Sequence, residues 1–115
     1  MAVFVKRPYT EMTIDDLIRV FHLANEVYEY GLSRERIQQV EGYLRSHFRH
    51  FRQGETIICP ISDRIRLWIQ PFDRQGDDNK VYLSPEGEST VPEKRHQRFR
   101  EGLQAIFGEE SLMDG

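Results

Sequence analysis

The side chains best placed to do chemistry in this sequence are arginines and aromatics. Of 16 cations, 13 are Arg and only Lys6, Lys80 and Lys94 are Lys. A guanidinium forks two hydrogen bonds to phosphate or carboxylate and stacks on rings. Two groups stand out by spacing. Arg34, Gln38, Glu41, Arg45, Arg49 and Arg52 recur every three or four residues, the spacing of one helix face, with His47 and His50 flanking it. The later half of that stripe is wholly cationic. Arg64, Arg66 and Trp68 alternate with Ile65, Leu67 and Ile69, so on a strand they share one face. Lys80 and Tyr82 do the same on the next such segment. A sheet face mixing cations and rings can stack bases and grip a phosphate backbone. The same residue types anchor protein interfaces.

Catalytic patterns are missing. There is no nucleophile elbow, phosphate-binding glycine loop or zinc-protease helix. Asp73, Asp77 and Asp78 do not match a calcium loop. His47 and His50 lie one turn apart but lack further ligands nearby, and Cys59 and His96 are remote in sequence. Cys59 sits in an apolar strand and reads as a buried, unreactive thiol. The expectation is a non-enzymatic protein with no metal and no cofactor.

The elements that must position these residues are legible from periodicity. Residues 3–5 form a short strand. Thr13 and Asp16 have capping-box form and start a helix running to about Tyr30, with Ile14, Leu17, Ile18, Phe21, Ala24 and Tyr28 on its core face. Gly31 is its expected stop. Ser33 caps a second helix to about Arg52, with core stripe Ile37, Val40, Leu44, Phe48 and Phe51. Gly42 inside it implies close approach by the first helix. Thr56–Ile61, Arg64–Gln70 and Lys80–Ser84 read as three strands of an antiparallel meander, with Pro60 at an edge. Thr90 to Glu93 is a capping box for a third helix, which ends before Gly108. The fold class is therefore α+β: two N-terminal helices, a three-stranded antiparallel meander and a C-terminal helix. Residues 1–108 form a single domain and 109–115 a frayed acidic tail. Tyr30 to Val40 also fits a helix-turn-helix with the later hairpin as a wing. A long first helix, Val27 and an acidic wing count against that.

At 115 residues with a net charge of −3, a single small globular domain is expected. No apolar run suits a membrane span or a signal peptide, and one cysteine fits a reducing, cytoplasmic setting. The total conceals alternating blocks: +3 over residues 34–68 and +4 over 94–100, against −2, −4 and −4 elsewhere. A chain of this kind can bind a polyanion locally or bind a second copy of itself.

The leading expectation is a small regulatory or accessory protein that binds nucleic acid. Arg45, Arg49, Arg52, Arg64 and Arg66 would meet phosphates, Trp68 and Tyr82 would stack, and Lys80 belongs to the same binding surface. The alternative is a protein–protein adaptor or homodimer using the same Arg/Trp/Tyr face.

Overall fold

The computed structural model describes the backbone of residues 3–72, 80–86 and 93–114, and within these the side chains of all but residues 72, 80, 82, 86, 113 and 114. In chain order the elements are β1 (Val3–Val5), α1 (Ile14–Tyr28), α2 (Arg34–Arg52), β2 (Ile57–Pro60), β3 (Arg66–Phe72), β4 (Lys80–Glu86), α3 (Glu93–Phe107) and β5 (Leu112–Asp114). The strands form one antiparallel sheet in the order β2-β3-β4-β1-β5. The class is α+β.

The expected meander is the β2-β3-β4 half of that sheet, and β1 and β5 extend it. Leu112–Asp114 pairs with β1, and the Lys6 amide donates to the Ser111 carbonyl. The end of the chain is therefore not the frayed tail its acidity suggested. Leu112 is buried, and that burial, with the ladder, holds the segment. The hairpin of the winged-helix alternative is present as the antiparallel β3–β4 pair, embedded within the five-stranded sheet. The 71–79 segment proposed as wing is only partly described: Pro71 and Phe72 belong to β3.

Local chemistry sets the helix ends. The Asp16 amide donates to Thr13 Oγ1 at 3.1 Å and the Thr13 amide to Asp16 Oδ2 at 2.9 Å, a reciprocal capping box. Ser33 Oγ accepts from the Arg36 amide at 3.1 Å and starts α2. Helix α1 stops at Tyr28, two residues short of expectation, because Glu29 takes the left-handed conformation at φ 53°. The Thr90 cap expected for α3 lies outside the described residues.

One core unites both layers. Leu17, Val20, Phe21 and Ala24 of α1, Val40, Leu44 and Phe51 of α2, and Phe99 and Leu103 of α3 are buried with Ile57, Cys59, Leu67, Ile69, Val81 and Leu83 of the sheet. The period-2 pattern thus assigned the inward face of β3 correctly. Met12, just ahead of α1, is also fully buried.

Both strand prolines beyond β2 sit where a ladder donor is not needed. Pro71 extends past the end of the β2 pairing, and Pro85 lies beyond Leu83, the last β4 residue paired with β1. Each strand therefore runs two residues further than its alternation implied.

The close helix approach is also not where it was expected. A Cβ at Gly42 would meet no atom within 4 Å, whereas one at Gly102 of α3 would overlap the Leu23 side chain of α1. Gly42→Ala is therefore expected to raise stability by about 1 kcal/mol, and Gly102→Ala to lower it, with partial recovery in Gly102→Ala/Leu23→Ala. Urea denaturation midpoints check both; a destabilised Gly42→Ala would contradict the open packing.

Candidate functional site

The orientation of α2 decides where the candidate residues lie. Its first turn and middle are tied to the outer edge of β2. Arg36 Nη2 donates to the Pro60 carbonyl at 2.6 Å and Nε to the Ile61 carbonyl at 3.0 Å. Tyr43 Oη donates to the Ile58 carbonyl at 3.1 Å. These donors occupy carbonyls along the rim of an edge strand, the groups that otherwise template aggregation. The Arg36 fork needs a planar guanidinium, so Lys cannot replace it. Sequence reasoning missed both residues, since neither breaks the pattern of an ordinary amphipathic helix.

Successive helix residues are about 100° apart, so Arg45 lies about 200° around α2 from Tyr43. With Tyr43 on β2, the stripe of Arg45, Arg49 and Arg52 turns away from the sheet. All three arginines are exposed. Arg52 also serves the fold, donating to the Met12 carbonyl at 3.4 Å and lying over the Phe48 ring. Among the described residues, no hydrogen bond or ion pair engages Arg45 or Arg49. His47 is on the β2 side instead, stacked on Tyr43 with centroids 4.0 Å apart and its Nδ1 2.9 Å from the Tyr43 carbonyl oxygen. His50 pairs with Glu55 at 3.2 Å.

The second group falls elsewhere. Residues 62–65 form the β2–β3 turn, closed by amides of Ile61 and Ser62 on the Ile65 carbonyl. Arg64 is thus an exposed turn residue rather than part of the strand face. Arg66 and Trp68 do share the sheet face opposite the helices, with Ile58, Gln70, Ser84 and Phe4. Trp68 is half-buried, directly across from Ile58 and Ser84. Ile58 is 37% exposed and Ser84 is buried. Lys80 and Tyr82 belong to β4, opposite Phe72 and Gln70, but their side chains lie outside those described. Glu86 stands opposite Arg66 in register.

The candidate residues therefore divide into two surfaces. One is a cationic helix face. The other is a mixed aromatic sheet face. No single small ligand spans both.

Titratable groups inside the fold are held by their surroundings. Burial pushes the Cys59 thiol up to about 12, against the opposing pull of Arg36. Burial also raises the Tyr28 and Tyr30 phenols. His96 of α3 meets Tyr28 at the end of α1, with Tyr28 Oη 2.9 Å from its Nδ1. Burial lowers its affinity for a proton, with Glu93 pulling the other way. Beside it Arg95 grips the Glu29 carboxylate at 2.7 Å and the Tyr28 carbonyl at 3.1 Å. Among the described residues, no three His, Cys, Asp or Glu side chains converge as metal ligands, and no helix is long and apolar enough to cross a membrane.

No protein-family model matches the chain, and no curated protein or solved structure matches it. What fold and surfaces define together is an α+β domain with one cationic helix face and one aromatic sheet face.

Three outcomes check this geometry. Native Cys59 should resist thiol reagents and become reactive only on unfolding. Arg36→Lys should destabilise by roughly 1–3 kcal/mol in chemical denaturation, because carbonyls it now satisfies lose a well-aimed charged donor. The folded pKa of His96 lies below its unfolded value of about 6.5, so its contribution is complete above that value and is lost as pH falls below it. Thermal unfolding from pH 7.5 to 5 should show that decline, and His96→Gln should flatten it.

Proposed function

We propose that the protein is a small, non-enzymatic, cytoplasmic regulatory or accessory protein that binds nucleic acid through phosphate contacts from α2, centred on Arg45 and Arg49. One observation carries the reading: these two guanidinium groups are exposed, share a face, and have no hydrogen-bond or ion-pair partner among the described residues. Cations in a last helical turn are favoured by the helix dipole, which accounts for Arg49 and Arg52. Arg45 lies beyond that turn, so the dipole gives no reason for it. Each phosphate neutralised releases condensed counterions, which makes binding steeply salt-dependent.

The sheet face supports a second reading, a protein partner or a second copy of this chain. Its observation is Ile58, a large hydrophobic exposed directly across from Trp68. Trp and Arg side by side suit an interface anchor.

Fluorescence anisotropy with a labelled oligonucleotide tests the first reading. The plot of log affinity against log salt should slope downward, and Arg45→Ala/Arg49→Ala should flatten it by about 2. Absence of binding at low salt contradicts the reading. For the second, sedimentation across a wide concentration range should show self-association that Ile58→Asp abolishes; a strict monomer removes the homodimer.

A further inference from the structure

Two contacts fix how α1 and α2 lie against each other. His22 Nε2 is 3.7 Å from Glu41 Oε2, and the Arg52 guanidinium reaches the Met12 carbonyl just ahead of α1. Between them the helices run antiparallel in a set register, since ten residues on one side match eleven on the other. One turn from the His22–Glu41 pair, Arg19 comes level with Arg45 along the helix axes. One turn further, Asp15 comes level with Arg49. Arg19 and Asp15 are both exposed. The outer surface of α1 and α2 therefore carries Arg19, Arg45, Arg49 and Arg52, with the carboxylates of Asp15 and Glu41 among them. Nothing in the linear spacing of arginines placed Arg19 there.

Among the described residues, the rings that border this face are engaged elsewhere, and the His22 imidazole on it faces Glu41. Phe21 and Phe51 are fully buried, Phe48 lies under the Arg52 guanidinium, and Tyr43 is held at the β2 edge. Proteins that hold single strands rely on aromatic platforms beside their cations. A surface of cations alone contacts phosphates and sugars, which position a duplex without reading its sequence. Duplex DNA carries about one negative charge per 1.7 Å of axis and returns more counterion entropy per contact than a single strand. We propose, resting on the nucleic-acid reading above, that the ligand is duplex nucleic acid held through its phosphates alone, on a strip across α1 and α2 to which Arg19 contributes and which Asp15 weakens.

Anisotropy titrations of the intact chain with a short duplex, and with one of its strands alone, test this. Far-ultraviolet circular dichroism confirms that each variant is folded. The expected result is tighter binding to the duplex, indifferent to its sequence. Arg19→Ala should weaken duplex binding by roughly threefold to tenfold and flatten the salt slope by about 1. Asp15→Asn should do the opposite and tighten binding by roughly twofold to fivefold, since it removes a like charge facing the phosphates. A merely structural Asp15 would not give tighter binding, because its loss from the first turn only costs helix stability. Tighter binding to the single strand, or Arg19→Ala and Asp15→Asn both without effect while Arg45→Ala/Arg49→Ala weakens it, overturns the proposal and leaves nucleic-acid binding standing. No binding to either form overturns both.

Discussion

The clamp of α2 on the edge of β2 is the contact on which the functional geometry depends. Arg36 and Tyr43 hold carbonyls of Ile58, Pro60 and Ile61, and in doing so they fix which side of α2 faces the sheet. The apolar stripe alone leaves some rotational latitude, because dispersion and burial are not directional. Directional hydrogen bonds remove it. With Tyr43 committed to β2, Arg45 and Arg49 point away from the sheet. The same clamp covers an edge strand that ends at Pro60, whose missing amide leaves no donor on that outer rim.

Several of the chain's arginines serve the fold itself, in geometries a lysine does not supply. Arg36 and Arg95 each use a fork to bridge several acceptors: two carbonyls and the Gln39 side-chain oxygen for Arg36, a carboxylate and a carbonyl for Arg95. Arg7 pairs with Asp16 of the capping box at 3.5 Å while lying over Phe107. An ammonium serves such geometry poorly. Among the described residues, Arg19, Arg45 and Arg49 make none of these contacts, and they sit together on the outer surface of α1 and α2.

Much of the fold was legible because it follows from short-range rules. Thr13, Ser33 and the 3–4 spacing of Ile37, Val40, Leu44, Phe48 and Phe51 fixed two helices, and the alternation of Leu67 and Ile69 fixed the inward face of β3. The rest depended on partners distant in sequence. Strand β5 exists because β1 supplies its ladder, which no local pattern in Leu112–Asp114 reveals. Alternation placed Arg64 on the strand, but the 62–65 turn takes that stretch out of the ladder. A helix-interior glycine signals either close approach or simple tolerance, and spacing cannot separate Gly102, which is crowded by Leu23, from Gly42, which is not. The candidate arginines were visible one by one. Two groups were legible as a helix stripe and a strand face; that they lie on separate surfaces was not, because it depends on how α2 sits against β2, which Arg36 and Tyr43 help to set.

Trp68 is the single tryptophan of the chain and stands on the sheet face, away from the arginine strip. Its intrinsic fluorescence therefore reports directly whether the clamp separates the two surfaces as described. Titration with unlabelled duplex, followed to saturation by an independent measure of binding, should leave its emission intensity and maximum unchanged. Stoichiometric quenching or a shift of the maximum would put the nucleic acid on the sheet face and contradict the account.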